Sequence, residues 1–364
     1  MDGRSKKYMK KTIGVVTIFD SSGNIGNKLQ NYAVINIYTH MGFDARTLAT
    51  EKYPSVLFLF KLNIKEIIRG VVKGNKRFNP YEISRIIRFR KFDKHLNVDF
   101  SMLNLKKINY DYYSVGSDQV WNPNFYKYDL RRKDYYFLTF AENLKKISFS
   151  PSFSVENIPK DWEEWFKTNL KDFKALSVRE DAGAKIIKGL TGRDATVLVD
   201  PTMLLTVDEW RKVSKKPKGA KEGYVLTYFL SPKCNEAAEQ LEEIRDEREV
   251  YELLNPDDKV AGKAGPSEFL WLFDHTDIIL TDSFHACVFS FLFNKPFIVY
   301  DRNWDEGNMN SRLETLLSKF HLERKYADSG VKNDIWEHDY EEGYKQLELE
   351  RKKAMDFLKK ALVD

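Results

Sequence analysis

The sequence predicts an α/β protein of two domains, each built on an open, mostly parallel sheet. At 364 residues the chain exceeds the roughly 100–200 residues of one domain. Short apolar runs typical of buried strands alternate with amphipathic helical segments along its length. A Lys/Pro/Gly-rich stretch at residues 215–221 interrupts this alternation, and we interpret it as the linker between the domains.

Composition favours a water-soluble protein of a reducing compartment. Apolar residues make up 42% and charged residues 31%, and the longest apolar run, 56–60, is far shorter than the ~18 residues of a membrane span. The first eleven residues do not resemble a signal peptide. Cys234 and Cys287 match no metal-binding or redox spacing, so we predict free thiols, no metal site and no cofactor. The expected location is the cytoplasm.

Positive charge is concentrated in one segment. The net charge is +5, yet residues 61–94 alone carry eleven Lys and Arg against three acidic residues. Apolar residues there recur at helical spacing, which predicts one or two basic helices within about 56–95. One hypothesis is a peripheral contact of 61–94 with the inner face of the cytoplasmic membrane, and the alternative is a solvated helix face. Base-stacking aromatic residues are sparse, which argues against nucleic acid.

The predicted elements divide the chain in three. The first domain, 12–214, contains strands at 12–18, 111–115, 146–150, 175–178 and 196–199, a helix at 28–41 ended by Gly42, and the basic insertion. The second domain, 222–330, contains strands at 224–229, 251–254, 277–280 and 296–300 and helices at 235–247, 266–274 and 284–293. A charged helical tail, 331–364, is expected to pack back on the first domain.

Polar loops follow several of these strands, where open α/β sheets bind ligands. In the loop 23–27 the glycines would let backbone N–H groups approach an anion, with Asn24 and Asn27 alongside. An ordinary tight turn is the alternative, because the third glycine and the Lys of nucleotide loops are absent. In the loop 281–285, Ser283 can cap a helix whose first turn holds His285. Simple capping is the alternative there.

Other candidates are charged or aromatic. Arg179 follows a strand and precedes Glu180, so a surface ion pair is its alternative. Arg302 and Arg312 flank the loop after the last strand. In the turn at 116–122, Asp118 is a candidate base or sugar-hydroxyl acceptor, or only a turn residue. Gln119 and Trp121 follow it, and Trp121 is expected to stack on a sugar or to pack in the core.

Six segments, in this order, resemble the polysaccharide pyruvyl transferase family: 23–33, 115–122, 177–180, 200–202, 265–269 and 281–286. The resemblance implies two facing Rossmann-like domains, similar to the B-type glycosyltransferases. It also implies transfer of the enolpyruvyl carbons of phosphoenolpyruvate onto two hydroxyls of a sugar or lipid-linked oligosaccharide, giving a cyclic ketal.

The resemblance, the chemistry of the transfer and the positions of the loops together indicate roles for these residues. Arg179 and His285 become donor ligands, with His285 as catalytic acid and Asp118 as base. Ser283 stands where many members have an arginine, so Arg312 first and Arg302 second are the expected substitutes. Asn27 completes the donor side, and Asn24, Gln119 and Trp121 form the acceptor side. Two alternatives stay open, a glycosyltransferase using a nucleotide-sugar and a non-catalytic docking protein.

Overall fold

The computed structural model describes residues 10–19, 23–49, 80–101, 108–127, 131–302, 311–327 and 335–363. The basic segment predicted at 56–95 therefore falls within the described residues only from 80 onward. There a helix runs from Pro80 to Phe92, as the periodicity predicts.

The first domain is built on a parallel sheet. Five strands pair in the order β3-β2-β1-β4-β5, the Rossmann arrangement. A parallel backbone bridge between Ile147 and Ala175 extends the sheet to a further parallel pair, β6 and β7. The strands are β1 (Thr12–Val16), β2 (Asp44–Leu48), β3 (Val98–Asp99), β4 (Tyr112–Val115), β5 (Lys146–Ser148), β6 (Ser177–Val178) and β7 (Thr196–Val197).

The second domain has a four-stranded parallel sheet in the order β11-β10-β8-β9. Three of its strands are buried on both faces, because helices cover both sides of such a sheet, whereas the edge strand that carries Glu249 and Glu252 is partly exposed. The four strands are β8 (Tyr224–Tyr228), β9 (Glu249–Leu253), β10 (Ile278–Thr281) and β11 (Phe297–Val299).

Helix boundaries follow local chemistry. The first helix begins three residues earlier than predicted, because the Asn24 side chain accepts a hydrogen bond from the Asn27 N–H and caps it. It ends where Gly42 adopts a φ of +93°. The described helices are α1 (Ile25–His40), α2 (Pro80–Phe92), α3 (Arg131–Tyr136), α4 (Lys160–Leu170), α5 (Asp181–Thr191), α6 (Val207–Arg211), α7 (Asn235–Arg245), α8 (Pro266–His275), α9 (Phe284–Leu292), α10 (Ser311–Lys319) and α11 (Glu341–Leu362).

One hydrophobic core joins the two domains. The ring of Tyr32 in α1 lies 5.4 Å from that of Trp210, which lies 5.1 Å from Phe289 in α9. These residues belong to one buried cluster that includes side chains from both sheets. The predicted α/β fold class with two Rossmann-like domains is confirmed.

The C-terminal helix α11 returns to the first domain, as expected. Its Arg351 donates from Nε to the Met203 carbonyl at 3.0 Å and from Nη2 to the Leu205 carbonyl at 2.8 Å. Leu358 on the same helix is fully buried. Among the described helices, α11 included, we find none both long and apolar enough to cross a membrane.

Replacing Arg351 by alanine should weaken this attachment. The substitution leaves two carbonyl oxygens of the first domain without their charged donor. We therefore expect the free energy of unfolding to fall by about 1.5–3 kcal/mol. Urea unfolding followed by circular dichroism would measure it. Lys353→Ala, at an exposed position on the same helix, is the matched control and should change the midpoint little. Equal midpoints for the two variants would contradict the role given to Arg351.

Candidate functional site

The site lies where α1 and the loops after β4, β6 and β7 meet the start of α9. Arg179, directly after β6, is at its centre and is only 6% exposed. Its Nη2 lies 2.9 Å from Oδ2 of Asp200 and 3.3 Å from Oε1 of Gln30, and it also donates to the Ser117 hydroxyl. The alternative interpretation of Arg179, a surface ion pair with Glu180, is not what the structure shows.

Two of the nitrogen atoms of Arg179 are hydrogen-bond donors that the described residues leave without an acceptor. Its Nε and Nη1 are buried and have no hydrogen-bond partner among the described residues. A buried donor without a partner costs about 1–3 kcal/mol, and more when charged. In a native site such groups are satisfied by ordered water, an ion or a bound ligand.

Asp200 holds Arg179 in place. Its Oδ1 accepts from the backbone N–H and the hydroxyl of Thr202, at 2.9 and 2.7 Å. Its Oδ2 faces Arg179 and lies 3.8 Å from Nε2 of His285. Burial by itself raises the pKa of this carboxyl, but Arg179, His285 and the Thr202 bonds bring it below its ordinary value. Asp200 therefore stays ionised and orients the guanidinium.

His285 stands in the first turn of α9, as predicted, with its side chain 15% exposed. Burial lowers its pKa, the charges of Arg179 and Arg312 push in the same direction, and Asp200 and Asp118 oppose them. Its Nε2 lies 2.6 Å from Nε2 of Gln30. The imidazole is therefore neutral more readily than a solvated one.

The loop 23–27 contacts His285 directly. A Cβ added to Gly26 would lie 2.3 Å from His285 Nδ1, closer than real atoms approach. Gly26 is thus required by the approach of the ring from the second domain, rather than by a positive φ.

Arg312, in α10, lies beside Arg179. The guanidinium carbons of Arg179 and Arg312 are 5.6 and 5.9 Å from the centre of the Phe284 ring. Burial lowers the pKa of Arg312 to about 10, and the charge of Arg179 adds to this. In the amide orientation that satisfies both groups, Gln119 Oε1 accepts from Arg312 Nη1 at 3.0 Å and Nη2 at 2.5 Å.

A small cavity of about 30 Å³ lies next to these groups. Arg179, Asp200, Phe284 and Arg312 are among the residues that line it. Two like charges brought together out of water repel each other, and an anion between them removes the repulsion. The arrangement fits a small anionic group.

Asp118 is held in its own turn. Its φ is +75°, and its Oδ1 accepts from the Gln119 N–H at 2.8 Å. The hydrogen bond of Asp118 is therefore that of a turn residue, which was the alternative considered for it. Its negative charge still raises the pKa of His285, so the carboxylate acts on the site at the same time.

The other residues predicted to bind the donor are Arg302, Ser283 and Asn27. Arg302 donates from Nη2 to the Asp282 carbonyl at 3.2 Å, and Asp282 in turn binds the Ser231 hydroxyl at 2.6 Å. Ser283 is buried at the N-cap of α9 but makes no side-chain capping bond. Asn27 is buried in the first turn of α1.

The expectation that Trp121 stacks on a sugar is wrong. Its side chain is fully buried, its Nε1 donates to the Tyr136 carbonyl at 3.0 Å, and its ring stacks on Phe137. Core packing leaves no face for a ligand. Asn24 is exposed, and its side-chain oxygen accepts the capping bond of α1.

Three residues of the site were not singled out from the sequence: Gln30, Asp200 and Ser117. All three lie inside the segments that resemble the family. Gly26 and Gln30 are four residues apart on α1 and so share the face that meets His285, which is a signal the sequence offered.

The basic helix α2 faces inward in part. Arg85 donates to the Gly23 carbonyl at 2.5 Å, and Arg88 forms a 3.2 Å ion pair with Glu268 of the second domain. These two cations are therefore not available to a membrane surface.

Comparison with known proteins supports a single family. A family model described as polysaccharide pyruvyl transferase matches residues 24–303. No curated protein sequence shows a significant match.

Several solved structures are similar over nearly their whole length, at low identity. The glycotransferase of kitacinnamycin shares 11% identity over 97% of this chain and 99% of its own, with a TM-score of 0.44. The UDP-GlcNAc 2-epimerase of Methanocaldococcus jannaschii, solved with UDP-GlcNAc and UDP, shares 13% over 94% and 99%, with a TM-score of 0.44. An alpha-glucosyltransferase solved with UDP and DNA shares 8% over 96% and 95%, with a TM-score of 0.45.

Similarity this low to solved structures says nothing about what the chain binds. The family match is different, because it covers most of the chain and includes every loop of the site except the segment that carries Arg312. The protein belongs to the polysaccharide pyruvyl transferase family, an enzyme family.

Proposed function

We propose that the protein transfers pyruvate from phosphoenolpyruvate to two hydroxyls of a sugar in a surface-polysaccharide precursor. The observation that supports this most is the pair Arg179 and Arg312, with two nitrogens of Arg179 unpartnered, next to the imidazole of His285. Phosphoenolpyruvate carries a carboxylate and a phosphate, and planar guanidinium groups bind both.

The chemistry needs an acid and two anion-binding groups. Protonation of the methylene carbon creates cationic character at the adjacent carbon, which one sugar hydroxyl attacks. The C–O bond to phosphate then breaks, and the second hydroxyl closes the ketal. The two hydroxyl groups release two protons. One replaces the proton that was added to the methylene carbon, and the other leaves with phosphate.

The described residues can be assigned to these tasks. His285 is the proposed acid, because its Nε2 faces the charged cluster and a bound anion would raise its pKa. Asp118 is the proposed base or sugar-hydroxyl acceptor. Arg179 and Arg312 hold the donor, with Ser283, Asn27 and Arg302 around them, and Asp200 orients Arg179.

The residues predicted for the acceptor side differ in exposure, because Gln119 and Trp121 are buried. Asn24 is exposed at the start of α1 and remains a proposed contact, whereas Gln119 binds Arg312 and would act through it. The proposed acceptor is a sugar or a lipid-linked oligosaccharide. A lipid-linked acceptor would suit a cytoplasmic protein that touches the membrane through 61–94, a segment whose residues before 80 are outside the described part.

Phosphoenolpyruvate should stabilise the protein more than inorganic phosphate does. A ligand at 100 times its Kd contributes about 2.7 kcal/mol, which raises Tm. Arg179→Lys should abolish the difference, since a lysine lacks the planar fork. Arg211→Lys, at a half-exposed ion pair with Asp274, is the matched control. A thermal response to UDP or GDP but not to phosphoenolpyruvate would favour the nucleotide-sugar glycosyltransferase instead.

Gly26→Ala should reduce kcat about 10²-fold while the protein stays folded. The new methyl group would displace His285, and a positioned acid contributes about 10²–10⁴-fold. Gly189→Ala is the matched control, because a Cβ at that helical glycine meets nothing within 4 Å. Steady-state kinetics and melting curves of both variants would test this. Unchanged kcat in Gly26→Ala would contradict the requirement for this close approach of His285 to α1.

The pH dependence should differ between the free and the donor-bound enzyme. An acid works only when protonated, so activity falls as pH rises through its pKa. In the free enzyme that pKa lies below the usual 6.5, and kcat/KM should decline at correspondingly low pH. A bound anion raises the pKa, so the decline of kcat should lie at higher pH. Identical profiles for kcat and kcat/KM would contradict this assignment.

A further inference from the structure

Gln30 lies between the proposed donor ligand and the proposed acid. It is fully buried on α1, with Oε1 3.3 Å from Arg179 Nη2 and Nε2 2.6 Å from His285 Nε2. Its two contacts therefore use opposite ends of one amide group.

The orientation of that amide follows from Arg179. A guanidinium carries donors and no acceptor, so the oxygen of Gln30 must face it. The NH2 group then donates to Nε2 of His285, which has to be unprotonated to accept. The unliganded site thus holds His285 as a neutral imidazole with its proton on Nδ1.

Adding a second proton to His285 would place its Nε2–H against the N–H of the Gln30 amide. The Gln30 amide can accept from a protonated Nε2 only by turning over, which points its NH2 group at Nη2 of Arg179. Two donors then face each other in a buried site, which is costly. An anion bound at Arg179 removes the conflict, because it can accept from both groups.

We infer that Gln30 is a positioning residue that couples anion binding at Arg179 to protonation of His285. Asp200 and Asp118 also face His285 and favour its charged form, whereas Arg179 and Arg312 disfavour it. Gln30 differs from these fixed charges because its effect reverses when its amide turns. The catalytic value of this coupling rests on the proposed function, but the coupling itself requires only an anion.

The consequence for catalysis is one of timing. His285 takes up its acidic proton together with the donor, since the donor's anionic group frees the Gln30 oxygen. The acid is then charged when the methylene carbon is in place and neutral when the site holds no donor.

Ring resonances of His285 in the full-length protein provide the test. We would follow them by NMR across pH, with and without inorganic phosphate, in wild type, Gln30→Leu and Gln30→Glu, using His285→Gln for assignment. Without phosphate, Gln30→Leu removes the bond that favours the neutral ring. At a fixed pH the ratio of protonated to neutral His285 should rise about five- to tenfold, the equivalent of one ordinary hydrogen bond.

Phosphate should raise the protonated fraction in wild type more than in Gln30→Leu. Gln30→Glu should favour the protonated ring even without phosphate, because a carboxylate only accepts. It also covers the case in which the leucine variant does not fold. Gln240→Glu, the same change on the surface of α7, is the matched control and should leave His285 unaltered. With phosphoenolpyruvate and acceptor, kcat should fall more than KM changes in Gln30→Leu.

The two proposals fail in different ways. Equal titration midpoints of His285 in wild type, Gln30→Leu and Gln30→Glu without phosphate would overturn the role of Gln30, whatever the donor is. If neither phosphate nor phosphoenolpyruvate raises Tm, Arg179 does not bind an anion there and the proposed function fails, whereas a raised Tm with wild-type His285 unchanged would overturn the coupling. The anion-free comparison would still decide whether Gln30 sets the state of the ring.

Discussion

The site depends on the buried ion pair between Arg179 and Asp200. Taking both charges out of water is expensive, and the cost is offset only when geometry and additional hydrogen bonds are good. Thr202 supplies two of those bonds to the carboxylate, whereas two nitrogens of the guanidinium are left over. Stability alone does not explain a half-satisfied pair. The anion proposed above would complete it, and the pair would then be one part of a three-part site.

The two domains share one core, and this is what brings the site together. Tyr32, Trp210 and Phe289 pack in a row across the junction, so α1 of the first domain rests against α9 of the second. As a result, the ring of His285 approaches Gly26 so closely that no side chain larger than hydrogen fits at position 26. Arg179 belongs to the first domain and His285 to the second, so neither domain by itself contains both side chains.

Much of the fold could be predicted from the sequence, because β1, β4, β8 and β10 are short apolar runs that end in polar loops. No strand was expected at Asp44–Leu48, where Asp44 and Arg46 interrupt the apolar pattern although Ala45, Thr47 and Leu48 are buried. In the site, Arg179 and His285 were predicted from their loops and their family likeness. Gln30 and Asp200 were not, because a residue that orients another is defined by contacts across the fold. Trp121 was misplaced for the same reason, since burial of an indole cannot be read from its neighbours in sequence.

The helix α2 belongs to the insertion in the first domain, yet it is tied to both halves of the molecule. Arg85 holds the carbonyl of Gly23 just before α1, and Arg88 holds Glu268 on α8 of the second domain. Any hinge motion that separates the domains has to stretch or break one of these two links. The described helix α2 therefore bridges the two domains, and a substitution at Arg85 or Arg88 would remove its contact with one of them.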